Sequence, residues 1–298
     1  MSDEQLLVTH NSKFHADDVF AIATLGLLLE QNNKHWQVIR TRDPEDIGKG
    51  DYVVDVGGVY DADADRFDHH QIGGAGKRDN SIPYASFGLV WKKYGETISG
   101  NREVAEKIDQ KLVQPIDALD SGITIINPIF DGLYPYGFSD FINALTPSWK
   151  ENYSEIDILF NTAVKYAQAV LVREIKRASD KFEARAIVRK VYAESSDKRV
   201  IIFDTYCPAN DFISAFPEPL FIISPKEDGT WIVHTVRDNP ELFVNRKSLP
   251  ENWAGKRDAE LEQITGVTGS IFCHTDRFIA VAQTKESAIK LAELALGE

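Results

Sequence analysis

The sequence has few cysteines and no long apolar run. Among its 298 residues there are two cysteines, Cys207 and Cys273. Two are too few for a disulfide framework, which favours a protein that folds in the reducing cytoplasm. No run of about eighteen apolar residues occurs, so we expect no membrane-spanning helix. The amino terminus is acidic and passes directly into an apolar segment, unlike a signal or transit peptide.

Positive charge is also in deficit. There are 33 lysine and arginine residues against 46 aspartate and glutamate residues, which gives a net charge of −13. A protein that binds nucleic acid mainly by neutralising many phosphates is usually basic, so this balance argues against broad electrostatic binding to duplex DNA. Divalent cations, by contrast, need clustered carboxylates, and a bound metal reverses the sign of the local field. The positions of the acidic residues therefore decide whether the negative charge of the chain forms a cation-binding site.

Length and composition fit a globular protein of two domains. The chain is longer than one hydrophobic core usually organises, and its 43% hydrophobic and 27% charged residues are close to the average of folded proteins. Strand and helix patterns alternate over the amino-terminal third, which is typical of an α/β unit with a parallel sheet. We expect an α/β fold in two lobes. Residues 1–150 would form the first lobe, and residues 151–298 a long connecting helix and a smaller α/β domain.

The predicted strands of the first lobe end in polar residues. Strands are predicted at Leu6–Thr9, Trp36–Thr41 and Asp51–Val56, with a helix from Asp17 or Asp18 to Gln31. In parallel sheets, ligands bind beyond the carboxyl ends of the strands. His10 follows the first strand and Asp55 lies at the end of the third. We therefore expect both side chains at the same edge of the sheet.

The second lobe begins with a long helical pattern. Residues Ser154 to Ser195 include no glycine or proline, and apolar residues recur there at helical spacing. One long helix and two helices with a break near Ser179 both fit this pattern. Further along, Leu220–Ser224 and Trp231–Val236 are predicted to form a β-hairpin.

Histidine and aspartate concentrate in three places in the first lobe. The first is the segment His10–Asp18, the second is Asp55, and the third is Asp61–His70. Four of the seven histidines lie in the first and third segments. Imidazole and carboxylate ligands together suit Mn, Co, Fe or Zn better than a Ca or Mg site made of oxygen ligands alone.

Each of these features also has a structural explanation. His15 and Asp17 could cap a helix, and Asp55 could belong to the turn before two glycines. The acidic residues after Asp61 could form a solvated loop. Adjacent histidines after Asp68 are harder to explain, because no turn requires them. Taken together, the three segments predict one metal-binding crevice.

Several segments resemble the MYG (melanocyte proliferating gene) family, which is similar to the DHH phosphoesterase superfamily. In the first lobe these segments are Thr9–Asp18, Val54–Asp61, Arg66–Gln71, Tyr84–Trp91 and Ile116–Gly122. In the second lobe they are Trp253–Asp258 and Gly266–His274. The resemblance covers most of the chain. It implies a DHH-type phosphoesterase domain with a parallel sheet, followed by a smaller α/β substrate-binding domain.

The resemblance also implies a set of metal ligands. These are His10, His15, Asp17, Asp55, Asp68, His69 and Asp120. An aspartate usually stands in the superfamily where this chain has His15, which leaves the identity of the metal open. We expect two Mn²⁺ ions that share Asp55, with Mg²⁺, Co²⁺, Fe²⁺ or Zn²⁺ as alternatives. For Asp120 alone, a helix-end cap would be the simpler explanation.

The implied catalytic residues are Asp55, His69 and His70. One of the two histidines would bind metal while its neighbour approaches the substrate phosphate. In the second lobe, His274 matches the substrate loop of the superfamily's carboxyl-terminal domains. The basic candidates for phosphate binding are Arg237, Arg246, Lys247, Lys256 and Arg257. A core histidine and a solvated surface would explain the same residues without a substrate.

The resemblance implies a metal-dependent phosphodiesterase, and more narrowly a 3′-to-5′ exonuclease. The acidic net charge favours single-stranded RNA or short oligonucleotides held in a local groove. Two alternatives remain open: a small-molecule phosphohydrolase such as a pyrophosphatase or nucleotide phosphatase, and a non-catalytic metal-binding regulator. A metalloprotease is disfavoured because the chain has no His-Glu-x-x-His helix. Exposed aromatic residues around Tyr134 and Tyr136 suggest a contact surface, which would fit a homo-oligomer.

Overall fold

The computed structural model describes residues 4–239, 242 and 244–297. Its two five-stranded sheets and surrounding helices confirm the mixed α/β class. The chain divides into two compact units, Met1–Ser179 and Asp180–Glu298. Among the residues that the structure describes, no helix is both long enough and apolar enough to cross a bilayer.

The first unit contains a sheet and six short or medium helices before the long helix begins. Its strands are β1 (Glu4–Thr9), β2 (His35–Arg40), β3 (Tyr52–Val54), β4 (Tyr60–Asp61) and β5 (Arg66–Phe67). Its helices are α1 (Ala16–Gln31), α2 (Pro44–Lys49), α3 (Ser86–Ser99), α4 (Arg102–Ile108), α5 (Gln114–Asp120) and α6 (Phe138–Ala144). A π-helical turn, Asp109–Val113, joins α4 to α5, and a 3₁₀ turn, Tyr153–Glu155, precedes the long helix.

The sheet of the first unit brings three strand ends together. The strand order is β2-β1-β3-β5-β4, and all neighbours are parallel except β4 and β5. The parallel sheet was predicted; the antiparallel edge strand β4 was not, because two residues carry no alternating pattern. The carboxyl ends of β1, β3 and β5 therefore lie side by side at one edge.

Helix α1 is the central helix of this unit. Nearly all of its residues are buried, which explains why its sequence is apolar on every side. It packs against α3, where the rings of Phe20 and Phe87 lie 5.3 Å apart. The same packing buries the first turn of α1, with Asp17 and Asp18 fully inaccessible to solvent.

A single helix, α7 (Ile156–Glu194), connects the two units. The structure therefore favours one helix over two. Its first half belongs to the first unit, because Phe160 is buried with its ring 5.5 Å from the Phe14 ring. In its second half, Ala184 and Val188 lie in a core cluster of the second unit. The units consequently divide inside α7, whereas the sequence placed the boundary at residue 150.

The second unit has its own sheet and core. Its strands are β6 (Val200–Ile202), β7 (Phe221–Pro225), β8 (Trp231–Thr235), β9 (Ser270–Cys273) and β10 (Ile279–Ala282). Its helices are α8 (Asn210–Ile213), α9 (Asp258–Thr265) and α10 (Lys285–Gly297), and a 3₁₀ turn lies at Glu251–Trp253. The strand order is β6-β7-β8-β10-β9, and β6–β7 is its parallel pair. The hairpin of β7 and β8 is confirmed. Asp228 accepts a hydrogen bond from the Thr230 backbone N–H in its turn.

Candidate metal centre

The predicted metal ligands follow the three adjacent strand ends. His10 comes directly after β1, Asp55 directly after β3, and the Asp68–His70 segment directly after β5. The side chains of His10, Asp55 and Asp68 are almost completely buried. The segments that lie far apart in the sequence therefore meet at one edge of the sheet.

Asp55 is the central residue of this arrangement. Its Oδ2 atom lies 3.3 Å from Nε2 of His10, and its Oδ1 atom lies 3.3 Å from Nε2 of His69. The hydroxyl of Ser86 donates a hydrogen bond of 3.2 Å to Oδ1. The backbone of Asp55 has φ of +57°, a left-handed conformation that aspartate tolerates better than most residues. A hydrogen bond from its N–H to the Phe67 carbonyl holds that conformation.

Two further carboxylates come from the start of α1. Asp17 accepts hydrogen bonds from the backbone N–H groups of Ser86 and Phe87, at 3.0 and 2.7 Å. These are free N–H groups at the start of α3, so the carboxylate of Asp17 caps a neighbouring helix. Asp18 accepts from the His15 backbone N–H at 2.7 Å. The first turn of α1 is therefore fixed on both sides.

Asp120 is the last residue of α5, and its carboxylate belongs to the same cluster of donors. Its Oδ2 atom lies 3.3 Å from Nε2 of His69. Helix α5 is anchored one turn earlier by Asp117, which accepts a hydrogen bond from the Gly88 N–H at 3.0 Å and pairs with Arg78 at 2.7 Å. Asp17 and Asp117 thus both bind the start of α3, and this shared anchor fixes Asp120 relative to Asp17.

His70 pairs with Asp68 beside Asp55, whose Oδ1 lies 3.4 Å from Nδ1 of His70. Oδ1 of Asp68 lies 2.8 Å from Nδ1 of His70, and Oδ2 accepts a hydrogen bond of 2.6 Å from the Gly58 N–H. His70 is well exposed, with 62% of its side chain accessible. Because Nδ1 is engaged by Asp68, Nε2 is the ring nitrogen left for a substrate.

Six of the seven predicted ligands fall into compact donor groups. The groups are His10–His15–Asp55, Asp55–His69–His70 and Asp17–His69–Asp120, and within each the donor atoms lie within 4.8 Å of one another. Asp55 belongs to two of them, as the shared ligand was expected to. Among the described residues, Asp68 belongs to none, because its oxygens are taken by His70 and Gly58.

The buried charges of this centre favour a cation. Burial lowers the pKa of His69, but contacts with Asp120 and Asp55 outweigh it and raise the pKa to about 11. Burial raises the pKa of Asp18 to about 7, and burial with neighbouring carboxylates raises the pKa of Asp17 strongly. Burial also opposes ionisation of Asp55, yet contacts with two histidines lower its pKa overall. The centre therefore holds more negative charge than its own histidines balance comfortably.

Within the described part of the chain, two buried atoms at the centre have charged neighbours at 3.3–3.4 Å but form no hydrogen bond of good geometry. They are Nε2 of His69 and Oδ2 of Asp18. Unpartnered buried polar atoms are costly, and a bound ion is one way to satisfy them. The mixed imidazole and carboxylate donors suit Mn, Fe, Co or Zn, and Mg is accommodated by the carboxylates. On both counts the residues present fit a divalent cation.

The centre opens into a cavity of about 860 Å³. His10, Asp17, Asp55, His70 and Asp120 line it. Its other lining residues come from the loop after β1, the loop after β2, and helices α5 and α6. A cavity of this size accommodates an organic substrate next to the donor groups.

In the second unit, the structure gives Arg246 a structural role in place of phosphate binding. Its guanidinium donates to the backbone carbonyls of Ser214, Phe216 and Pro219 and pairs with Asp238 at 2.6 Å. Its side chain is 9% exposed and four of its five N–H donors are engaged, so little of the guanidinium is available to a substrate. Lys247 donates a weak hydrogen bond to the Leu296 carbonyl at 3.3 Å, and Lys256 pairs with Glu260.

The remaining predicted residues of the second unit lie around two phenylalanine rings. The Arg257 guanidinium is 4.6 Å from the Phe272 ring, and the Arg237 guanidinium is 5.8 Å from the Phe278 ring. The His274 ring is 4.4 Å from Phe278. We call these five residues the aromatic–basic face. Arginine next to aromatic rings is the composition of surfaces on which nucleic-acid bases stack.

Sequence reasoning missed two residues of the centre. Ser86 contributes both a backbone N–H to Asp17 and its hydroxyl to Asp55. It lay in a segment singled out for family resemblance, but nothing local marks a serine as a partner of distant aspartates. Asp18 contributes a buried oxygen 3.4 Å from Nε2 of His10. Its position beside Asp17 in an acidic first turn was the available signal.

Comparison with known proteins identifies relatives along the whole chain. The MYG1 exonuclease family model, described as an uncharacterised protein family (UPF0160), matches residues 6–296. A MYG1 exonuclease of Mus musculus is 30% identical over 97% of this chain and 84% of its own length. A MYG1 protein of Dictyostelium discoideum is 32% identical over 96% of this chain and 94% of its own length.

Solved structures give weaker similarities. RecJ of Thermus thermophilus in complex with Mn²⁺ has a TM-score of 0.30 and 12% identity, covering 99% of this chain and 52% of that one. Another exonuclease RecJ bound to manganese has a TM-score of 0.28 and 13% identity, covering 98% of this chain and 90% of that one. At these TM-scores neither structure carries an argument about the site. The family model, by contrast, matches almost every residue, and the chain belongs to the MYG1 exonuclease family.

Proposed function

We propose that this chain is a 3′-to-5′ exonuclease that acts on single-stranded RNA or short oligonucleotides. Its family and its metal-donor groups support the coarser function of a metal-dependent phosphoesterase. One observation carries the proposal: a single buried aspartate, Asp55, joins two donor groups at the edge of one cavity. A pair of cations that share a carboxylate is the arrangement of many phosphodiesterases.

The donor groups assign the residues that would hold two ions. His10, His15 and Asp55 would hold one ion, and Asp55 and His69 would take part in holding the other. Asp17 and Asp120 would join this second ion through the donor group that they form with His69. Bound divalent cations would supply an activated water and stabilise the charge that develops on the phosphate. We expect Mn²⁺ first, and Mg²⁺, Co²⁺, Fe²⁺ or Zn²⁺ as substitutes.

The chain's own residues would hold the donors and contact the phosphate. The start of α3 fixes Asp17, and the hydroxyl of Ser86 orients Asp55. Asp68 orients His70, which would bind a phosphate oxygen through Nε2. We therefore propose Asp68 as a positioning residue for His70, although the sequence suggested a metal ligand.

The aromatic–basic face of the second unit supports a nucleic-acid substrate. Bases of any sequence stack on aromatic rings, and arginines bind the backbone between them. This arrangement suits a flexible single strand better than a duplex, whose bases are already stacked. We propose that His274, Arg237 and Arg257 bind substrate there. Arg246, four of whose five donors are engaged within the second unit, is not included in this surface.

Labelled oligoribonucleotides test the proposal. With Mn²⁺, a 5′-labelled strand should shorten stepwise, and a 3′-labelled strand should release labelled mononucleotide at once. Asp55→Asn should lower kcat by about 1000-fold or more, because the shared ligand is weakened. Asp63→Asn, in an exposed loop, is the matched control and should stay within about twofold of wild type.

Other outcomes of the same assay contradict the proposal. Release of inorganic phosphate from pyrophosphate or nucleotides, with oligonucleotides left intact, would identify a small-molecule phosphohydrolase. Metal binding without turnover of any phosphate ester would identify a regulator. Equal rates on oligodeoxyribonucleotides would support a nuclease but contradict the proposed preference for RNA.

Two predictions about the whole protein are tested separately. Both cysteines are unpaired and buried, which fits the proposed cytoplasmic location; microscopy of the tagged protein tests it. The proposed homo-oligomer rests on Tyr134 and Tyr136, which are 63% and 71% exposed. Light scattering of wild type and of a Tyr134→Ser, Tyr136→Ser double variant would show whether these residues mediate self-association.

A further inference from the structure

Two cationic side chains line the cavity beside the metal centre. Among its described lining residues, Lys13 and Arg42 are the lysine and the arginine. Lys13 lies in the loop after β1, and Arg42 lies just after β2. The backbone N–H of Thr41 donates to the Thr9 carbonyl at 2.8 Å, which keeps the ends of these two strands together. Arg42 is therefore held close to His10.

The loop that carries Lys13 is fixed in place. Ser12 has φ of +74°, and its carbonyl accepts a hydrogen bond of 2.5 Å from the guanidinium of Arg40. The Arg40 guanidinium in turn pairs with Asp157 at 2.7 Å and lies 4.7 Å from the Phe160 ring. Because Arg40 is buried and held from several sides, the backbone of the loop at Lys13 is positioned without a substrate.

The order of the strands places Arg42 on one side of the metal donors. The donors follow β1, β3 and β5, whereas Arg42 follows β2, which pairs with β1 on the side away from β3. Neighbouring strands are about 4.8 Å apart, so Arg42 begins one strand beyond the donors, while Lys13 lies in the loop between His10 and His15. Lys13 and Arg42 are exposed, and neither forms an ion pair within the described part of the chain. They offer positive charge to the cavity.

Apart from Asp120, helices α5 and α6, which line the cavity, have a different character. Helices α5 and α6 contribute Ile116, Leu119, Ser139 and Asn143, which are apolar or neutral. Asp140 also lines the cavity, but its carboxylate accepts the Gly137 N–H at 2.9 Å and caps α6. A nucleotide would therefore direct its phosphates toward Lys13 and Arg42 and its base toward α5 and α6.

We propose that Lys13 and Arg42 form a second phosphate subsite, which binds the phosphate on the 5′ side of the one that is cleaved. The inference rests on the proposed function and specifies its substrate: a strand that carries at least two phosphates. Arg42 binds the phosphate through its planar guanidinium, and Lys13 adds a point charge. A substrate with a single phosphodiester leaves the subsite empty.

Two dinucleotides that differ by one phosphate test the subsite. A 5′-phosphorylated diribonucleotide fills it, and the same dinucleotide with a 5′-hydroxyl does not. Arg42→Ala should raise KM for the phosphorylated substrate about tenfold and leave KM for the 5′-hydroxyl substrate unchanged. Lys13→Ala should act in the same direction with a smaller effect. For longer strands, each variant should lower the salt dependence of binding by about one unit of slope.

Lys34→Ala is the matched control. Lys34 is exposed and precedes β2, so it lies at the end of that strand away from Arg42. It should leave both KM values unchanged. Equal effects of Arg42→Ala on the two dinucleotides, or no effect on either, would overturn the subsite.

Failure of the proposed function is distinguishable from failure of the subsite. If the wild type with Mn²⁺ cleaves neither dinucleotide, the exonuclease assignment fails. Calorimetry of the phosphorylated dinucleotide with wild type and with Arg42→Ala then tests the subsite independently of cleavage. About tenfold weaker binding by the variant would support the subsite, and equal binding would refute it.

Discussion

At the residue scale, the metal centre depends on Asp55, whose left-handed backbone is held by a hydrogen bond to the Phe67 carbonyl. The histidines and aspartates of three segments predicted a metal site, and the structure brings six of seven named ligands together. The left-handed backbone of Asp55 had no sequence signal. Strain of this kind is stored where the surrounding structure determines a single conformation, as the hydrogen bond to Phe67 does here. Local patterns cannot report a constraint imposed by another strand.

Asp68→Asn distinguishes a metal ligand from a positioning residue. Since the Asp68 oxygens contact His70 and Gly58, we expect the variant to bind Mn²⁺ with nearly unchanged affinity while kcat falls about 10- to 100-fold. Calorimetry with Mn²⁺ and steady-state kinetics measure the two effects. A loss of Mn²⁺ affinity as large as that of Asp55→Asn would restore the role of ligand that the sequence suggested.

At the element scale, long buried elements were predictable and short ones were not. Helix α1, strand β1 and the β7–β8 hairpin were predicted because each carries a sustained apolar pattern. Strands β4 and β5 have two residues each, too few for any period. Helix α6 lies in a segment rich in proline and glycine, between Asn127 and Pro147, where these residues hide any helical pattern. Tertiary contacts, not local propensity, determine these short elements.

The start of α3 gives a prediction at this scale. A Cβ atom on Gly88 would lie 1.9 Å from Oδ2 of Asp117, so Gly88→Ala must displace α5 or α3. We expect the free energy of unfolding to fall by about 1–3 kcal/mol, measured by urea denaturation. Mn²⁺ affinity should also fall, because Asp120 lies on the displaced helix.

The control is Gly48→Ala. Gly48 lies inside α2, and no side chain or distant backbone atom comes within 4 Å of the place where an alanine methyl group would lie. Alanine there should be neutral or stabilise the protein by up to about 1 kcal/mol. If Gly88→Ala proved as harmless as this control, the close packing of α3 on α5 would not determine the position of Asp120.

At the scale of the whole molecule, composition and alternation predicted two α/β units, which the structure confirms. The division inside α7 was not predictable from sequence. A helical pattern shows that residues form a helix, but it does not show which core each turn joins. Here Phe160 joins the first core and Val188 the second.

The stability of the metal-free protein should fall as pH rises. The raised pKa values of Asp18, about 7, and His69, about 11, mean that the folded state holds protons that the unfolded state has released. Stability from Asp18 is then lost between about pH 4 and 7, and stability from His69 between about pH 6.5 and 11. Asp55, whose pKa is lowered, acts in the opposite direction only at low pH.

Urea denaturation in EDTA at pH 5.5 and 8 measures this trend, and we expect a lower midpoint at pH 8. With Mn²⁺ the order should reverse, because metal binding displaces protons from the same groups. At an Mn²⁺ concentration 100 times Kd, the added stability should be about 2.7 kcal/mol. An EDTA midpoint that rises between the two pH values would contradict the charge distribution described for the centre.

The continuity of α7 limits how the protein can be divided into fragments. A fragment that ends at residue 150 would lack Phe160, leaving the apolar surface around Phe14 uncovered, and would lack Asp157, leaving Arg40 without its carboxylate. Arg40 holds the loop between His10 and His15 through the Ser12 carbonyl. Residues 1–150 therefore lack contacts that the loop between His10 and His15 needs. A truncated domain intended for expression must extend through the first half of α7 to keep its metal-binding loop in shape.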